Sequence, residues 1–401
     1  MAYVQVRCIL GSLIVAGMVL VAILIHISNN MKDAVHPRIK TSEVSNVIDP
    51  SPTTSRDIQY KSTDFPTENA SCNPVENIVF LKTHKTGSST VQNILFRYGE
   101  KHNLTFALPK PPRINLMGWP EYFNEKFMIQ IPGGNYNIFT FHTRFDYEAI
   151  KSIMPVNTVY ITILRDPVTQ YESLFTYHQM QRKLNIPKIS EKSSLEVFLE
   201  NPLKYYKSDG YNGLSRNPSL YDLGFRVDFM DDTHAIRKQI KEVEDVFDFV
   251  MLTEYMEESL ILLRHLLCWE IEDIVHFKLN SRLGKSKRYV DQLAEGIRGW
   301  NHADVALYNY FNATFWGMIK EFGEERMELE VKTLKNKIEE LFKFCVKGLT
   351  DDVVGFVPQG VQIFSYELNP HARNNTLCKN LIRTEYQFTY RLKNKYIHSD
   401  D

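Results

Sequence analysis

The segment Leu81-Lys-Thr-His-Lys-Thr-Gly-Ser-Ser-Thr90 concentrates donors for an anionic ligand. It follows the apolar run Ile78-Val-Phe-Leu81 and precedes Val91, Ile94, Leu95 and Tyr98 at helical spacing. A strand-to-helix loop presents backbone N–H groups and the positive end of a helix dipole. Gly87 lets the backbone come close to a ligand. Thr86, Ser88, Ser89 and Thr90 add hydroxyls, and Lys82 and Lys85 add charge. A phosphate cradle is the expectation. It is not a nucleoside-triphosphatase loop, which needs G-x-x-x-x-G-K-[ST]. The first Gly is absent, Lys85 precedes Gly87, and no apolar strand ends in an Asp suited to Mg²⁺. A small-molecule kinase is disfavoured for the same reason.

A second anion site is expected at Arg165. It ends the run Val159–Leu164, and the carboxyl ends of parallel strands open onto ligand sites. Arg gives two-pronged phosphate recognition, and Ser173 lies eight residues further on. For proton transfer near neutral pH, histidine is the residue type to look for. Of 12 histidines, His142 is favoured because it follows the strand-like Tyr136–Phe141, with His84, inside the loop, as its competitor. Arg144 is a candidate to orient a ligand or to make a structural ion pair. Tyr211–Pro218 is a candidate substrate loop or a run of turns, and the basic Arg282–Arg288 a candidate cover for a nucleotide or a solvated loop. Trp300 and Trp316 are expected to serve core packing. No metal-ligand spacing stands out.

The elements that must position these residues alternate between strand and helix. Strands are expected at Ile78–Leu81, Tyr136–Phe141, Val159–Leu164 and Phe249–Leu252, and helices after Gly87, from Asp166-Pro167, over Thr233–Val246 and over Glu254–Trp269. This is an α/β pattern: a central, mostly parallel sheet flanked by helices. Met327, Val331, Leu334, Ile338, Leu341 and Cys345 form a seam of under three heptads. An amphipathic helix lying on its own domain is expected there, with a homodimer contact as the alternative.

With 47 Lys+Arg against 48 Asp+Glu, the 401-residue chain is not a basic nucleic-acid module. With 43% hydrophobic residues it is not a disordered acidic tail. The one long apolar run, Cys8–Ile27, is 20 residues, about 30 Å as a helix. It reads as an uncleaved signal anchor (8–27) after a short cytoplasmic tail (1–7). A flexible stem (28–75) and a folded lumenal body (76–401) follow. A lumenal body suits four sequons at Asn69, Asn103, Asn312 and Asn374. Cys72, Cys268, Cys345 and Cys378 permit two disulfides in three connectivities.

The loop His84-Lys-Thr-Gly-Ser-Ser-Thr90 resembles the 5′-phosphosulfate loop of the sulfotransferases, which use 3′-phosphoadenosine 5′-phosphosulfate (PAPS). The run Leu164-Arg-Asp-Pro-Val and its Ser173 resemble their 3′-phosphate motif. Asn77–Thr86, Asn93–Arg97, His142–Phe145, Phe277–Arg282 and Phe311–Trp316 resemble the galactose-3-O-sulfotransferases of the Golgi. Leu266–Asp273 and Glu321–Met327 lie nearest to the members that act on galactosylceramide. The resemblance implies a P-loop-like sulfotransferase fold and PAPS as donor, without a metal. Lys85 would stabilise the breaking bond, Lys82 and Thr86–Thr90 would hold the 5′-phosphate, and Arg165 with Ser173 the 3′-phosphate. It implies a galactosyl glycolipid acceptor, with glycoprotein lactosamine or an inactive glycan-binding relative as alternatives. It also implies a single-pass type II protein of the Golgi membrane.

Overall fold

Ile78-Val-Phe-Leu81 is buried at every position, as expected of a strand covered on both faces. The computed structural model describes residues 72–131, 133–208, 210–279, 287–355, 357 and 363–397. The expected tail and anchor, nearly all of the stem, Asn69 and most of the Arg282–Arg288 stretch lie outside them. Among the described residues no helix is long and apolar enough to cross a membrane.

β1 (Ile78–Leu81) is the centre of a five-stranded sheet in the order β2 (Phe106–Ala107), β3 (Ile138–Phe139), β1, β4 (Val159–Leu164), β5 (Phe249–Leu252). Every neighbouring pair is parallel. β1, β4 and β5 have the boundaries expected from their apolar runs. The expected strand 136–141 contracts to Ile138–Phe139, and the Thr140 carbonyl beyond it accepts a hydrogen bond from the Gln92 side chain.

From β1 the chain runs outward to the β2 edge and returns through β3, then crosses to β4 and β5. The connections after β1 and β4 therefore leave in opposite directions. A crevice opens between them at the carboxyl edge of the sheet.

Local chemistry sets the helices on this frame. α1 (Ser88–Lys101) starts at Gly87 in the left-handed region, φ 75°. α2 (Pro167–Tyr177) has Asp166 as N-cap, accepting from Thr169 N, and Pro at its first position. The short α3 (Pro218–Asp222) and the amphipathic α4 (Thr233–Val246) follow, then α5 (Met256–Leu267), which packs on β5. After α6 (Lys287–Trp300), α7 (His302–Phe322) also packs on β5. α8 (Glu324–Cys345) buries Met327, Val331, Leu334 and Cys345 and packs on α5 and α7. The heptad seam therefore faces its own domain, and Glu330 fastens it to Arg264 and His265 of α5 at 2.8 Å each.

An antiparallel hairpin, β6 (Val346–Thr350) and β7 (Ser365–Leu368), leads to α9 (Thr376–Ile382) and α10 (Glu385–Ile397). The disulfides take one of the three connectivities: Cys72–Cys268 and Cys345–Cys378. The first ties the start of the described chain to the end of α5. The second ties α8 to α9.

Asn93 of α1 donates from Nδ2 to the carbonyls of Asn380 and Arg383, at 2.9 and 3.0 Å. Its Oδ1 accepts from Arg97 Nε at 2.9 Å. Phe388 stacks on Phe96, with centroids 5.0 Å apart. These contacts bring the end of the chain against the helix that follows the phosphate loop.

Candidate active site

A cavity of about 680 Å³ opens at the carboxyl edge of the sheet, a volume suited to a small-molecule ligand. Of the sequence-predicted site residues, Lys82, His84, Lys85, Gly87, Ser88, Ser89, Thr90, His142, Arg165 and Ser173 all line it. Thr86 is fully buried just behind the surface.

The loop is built as a cradle. Lys85 takes φ 60°, uncommon for a residue with a Cβ, and its ammonium lies 3.7 Å from the centroid of the Tyr177 ring. Thr86 Oγ1 lies 2.8 Å from Thr83 Oγ1, and Ser88 Oγ donates to the Thr83 carbonyl at 2.8 Å. These hydroxyls fold the loop on itself. Among the described residues no side chain caps the N-terminus of α1, whose first residues Ser88, Ser89 and Thr90 line the cavity. A Cβ on Gly87 would stand 3.2 Å from Met256 Cε, in a backbone conformation that side chains rarely adopt.

Arg165 joins the two halves of the crevice. Its Nη1 donates to the Lys85 carbonyl at 3.0 Å and its Nε to Thr169 Oγ1 at 3.0 Å. Ser173 lies on α2, the helix that Arg165 precedes, and is buried.

Lys82 lines the cavity and is also paired within the protein. It is 1% exposed, and its ammonium is engaged by Gln92 Oε1 at 2.8 Å and Glu385 Oε2 at 2.5 Å. Burial lowers its pKa, and Glu385 opposes that shift. Its charge is committed within the protein, beneath the cradle.

His84 and His142 face one another with ring centroids 4.0 Å apart. His84 Nδ1 lies 3.0 and 2.9 Å from the two carboxylate oxygens of Asp222. The buried Asp222 also accepts from His84 N at 2.7 Å and from Trp119 Nε1 at 3.0 Å. Asp222 therefore holds the proton on His84 Nδ1 and leaves Nε2 as the acceptor nitrogen. His142 Nδ1 lies 2.8 Å from the Lys82 carbonyl, which assigns its proton in the same way. Burial, then the neighbouring His84 and Lys82, push the His142 pKa well below the usual histidine value.

Asp222 is positioned from beneath. Asp304 of α7 accepts from Ser219 N and Leu220 N at 2.8 and 2.9 Å, fixing α3 at its start. Asn301 Oδ1 accepts from Asn217 N at 2.8 Å. Burial raises the Asp304 pKa to about 7, against the two backbone donors.

Asp222, Trp119, His178 and Glu385 complete the site and are absent from the sequence reading. His178 lines the cavity with its ring centroid 5.4 Å from His84. Burial and His84 lower its pKa well below the usual value. Only the Thr384-Glu-Tyr-Gln387 capping-box spacing would have drawn attention to Glu385. Arg144 proves structural: its guanidinium lies between the Tyr122 and Tyr221 rings, 4.0 and 4.2 Å from their centroids, and donates to the Phe225 carbonyl. Trp300 is buried as expected, whereas Trp316 is 43% exposed. Among the described residues no group of three or more His, Cys, Asp or Glu is placed to hold a metal ion.

A parallel α/β sheet with an uncapped, donor-rich loop at its switch point, Arg165 beside it and a paired histidine suit group transfer from an anionic donor. A sequence model of the galactose-3-O-sulfotransferase family matches residues 3–396. Human galactosylceramide sulfotransferase is 38% identical over 332 residues, covering 79% of this chain and 78% of that protein. Pig galactose-3-O-sulfotransferase 2 is 38% identical over 338 residues, 80% of this chain and 84% of its own. Human galactose-3-O-sulfotransferase 3 is 38% identical over 291 residues, 69% and 66% of the two chains. The chain belongs to the galactose-3-O-sulfotransferase family, and its family implies sulfuryl transfer from PAPS.

Proposed function

We propose that this protein transfers a sulfuryl group from PAPS to the 3-hydroxyl of a terminal galactose, on galactosylceramide or a related glycolipid. The observation that carries the reading is the His84–Asp222 pair stacked on His142 in the cavity that also holds Lys85 and Arg165. The residues fit the donor. The uncapped α1 N-terminus with Gly87 to Thr90 would hold the 5′-phosphate, and Arg165 with Ser173 the 3′-phosphate. The donor supplies an activated sulfuryl group, which leaves its phosphate oxygen for the sugar oxygen. Lys85 offsets the negative charge that develops on the leaving side.

The sugar hydroxyl gives its proton to a histidine. The sequence favours His142, and the geometry favours His84. A proton on His84 Nε2 makes an imidazolium that Asp222 stabilises, whereas His142 Nδ1 is backed by the neutral Lys82 carbonyl. His142 stays neutral and offers Nε2 as an acceptor that orients the hydroxyl.

The glycolipid acceptor is supported by the name of the human relative. The pig relative is equally similar, which favours glycan galactose as a second reading. As part of the same proposal, Cys8–Ile27 anchors the protein as type II in the Golgi membrane. Two disulfides suit that oxidising lumen. Asn103 and Asn374 are exposed as glycan sites require, while Asn312 lies half-buried within α7.

The test is radiolabelled sulfate transfer from PAPS to galactosylceramide in mixed micelles. N-acetyllactosamine is the parallel acceptor and Lys85→Ala the control. Lys85-dependent labelling of the lipid supports the reading. Labelling of lactosamine alone moves the acceptor. Nucleotide binding without transfer points to a glycan-binding relative, and no PAPS binding by folded protein sinks the assignment.

A further inference from the structure

We infer that Glu385 selects the acceptor: its unpaired carboxylate oxygen takes a hydrogen bond from a hydroxyl of the galactosyl group. This rests on the transfer reading above.

Glu385 is in the first turn of α10 and lines the cavity 303 residues from Lys82. Its side chain is 10% exposed. Oε2 is bonded to Lys82, whereas Oε1 is buried and accepts from no group among the described residues. Glu254, another carboxylate lining the cavity, is different. Its Oε1 accepts from Asp166 N and its Oε2 from Tyr308 OH, at 3.0 Å each. A buried acceptor without a partner is uncommon and costly, so a residue that lines a ligand cavity and keeps one calls for a donor from the ligand.

The chemistry of that donor follows from charge. A carboxylate repels the phosphates and sulfate of the nucleotide, which the cations across the cavity are suited to hold. A neutral polyhydroxyl group brings O–H donors and no charge, and a hydroxyl-to-carboxylate bond is among the stronger neutral-to-ion contacts.

The oxygen is also held in place. Thr384 and Gln387 form the reciprocal cap that starts α10, with Thr384 N donating to Gln387 Oε1 at 2.9 Å. The ion pair to Lys82 fixes the carboxylate plane. The carbonyl of the same Lys82 orients His142. One residue thus sets both the acceptor-side carboxylate and a histidine of the transfer site.

The experiment measures binding of methyl β-galactoside to the full-length protein by saturation-transfer NMR, with 3′-phosphoadenosine 5′-phosphate present. The 2-, 4- and 6-deoxy analogues are run beside it. For the wild type, one analogue should bind about tenfold to a hundredfold more weakly than the parent sugar. Glu385→Gln, which keeps an oxygen for Lys82, should weaken the parent by a similar factor and bind that analogue no worse. Nucleotide affinity should stay within about twofold. The inference is overturned if Glu385→Gln binds all four sugars as the wild type does, or weakens them uniformly. It is also overturned if the nucleotide is weakened in parallel or if the wild type binds no galactoside. Glu385→Asp, with its melting temperature, guards against misfolding: it should keep the fold and lose the same selectivity. Galactoside binding without sulfate transfer would sink the proposed function and leave this inference standing.

Discussion

The imidazoles of His84 and His142 are stacked with centroids 4.0 Å apart and planes 18° from parallel. Asp222 backs His84 alone, its two carboxylate oxygens 3.0 and 2.9 Å from Nδ1, while His142 Nδ1 faces the Lys82 carbonyl.

Asp222→Asn is therefore expected to lower kcat by about 10²- to 10⁴-fold, the range found when the carboxylate behind a general-base histidine is lost. The Asn side chain can still accept from Trp119 or from His84 N, so nucleotide binding and the melting temperature should change little. His84→Ala should cost more kcat than His142→Ala. Retained turnover in a folded Asp222→Asn protein, or the reverse ranking of the histidines, would return the base to His142.

Arg165 and Ser173 supply a second test, on the donor side. Ser173→Ala should raise the KM for PAPS about tenfold to a hundredfold, the worth of one hydrogen bond to a charged group. It should leave the KM for adenosine 5′-phosphosulfate, which lacks the 3′-phosphate, unchanged. Arg165→Ala should show the same selectivity with a larger loss and a fall in kcat, because Arg165 also holds the Lys85 carbonyl. Equal losses with both donors would place the 3′-phosphate elsewhere.

The sequence makes the local half of this site readable and leaves the assembled half hidden. The apolar runs Ile78–Leu81, Val159–Leu164 and Phe249–Leu252 are strands with those boundaries because a sheet buried on both faces writes itself as continuous hydrophobicity. Asp166-Pro167 starts a helix because capping chemistry is local. That the loop 81–90 lines the cavity is legible for the same reason: its donors are neighbours in the chain. Asp222 is 138 residues from His84, and Glu385 is 303 from Lys82. Neither pairing leaves a periodicity or a spacing to read. The Lys82 partner is hidden for the same reason: a position in a basic loop says nothing of a buried carboxylate at the far end of the chain. The disulfide connectivity could not be chosen from four cysteines, since it depends on α9 returning beside the end of α8.

That return makes Cys345–Cys378 a structural support for the acceptor side. It closes a stretch of 33 residues and fixes α9, from which the chain passes directly to Glu385. Replacing both cysteines with serine should lower stability by about 3–4 kcal/mol on the chain-entropy account. KM for the galactosyl acceptor should rise more than KM for PAPS. Denaturant unfolding and paired kinetics would check both, and a rise confined to PAPS would contradict the role given to this part of the chain.

The buried ionisable groups set a pH profile whose sign can be worked out. His142 and His178 have pKa values well below the usual 6.5, and burial takes His276 down to about 4. Between pH 6.5 and 4 the unfolded chain binds protons at these positions that the folded protein refuses, so stability falls as pH falls. Asp304 acts in the opposite sense. Its folded pKa of about 7 lies above the ordinary 3.8, so it favours the folded state at low pH and loses that contribution as pH rises through 7. Glu254, also raised by burial, acts in the same sense as Asp304, so three histidines oppose two carboxylates, at about 1.4 kcal/mol per pH unit each while a group is titrating. The balance predicts greatest stability near pH 6.5–7 and a net loss toward pH 5. Melting temperatures of the purified protein from pH 5 to 8 would show it, and His276→Phe should shallow the acid limb. A melting temperature that rises steadily from pH 6.5 down to 5 would mean that these histidines are protonated in the folded protein, and the assignment of a neutral His142 would fall with it.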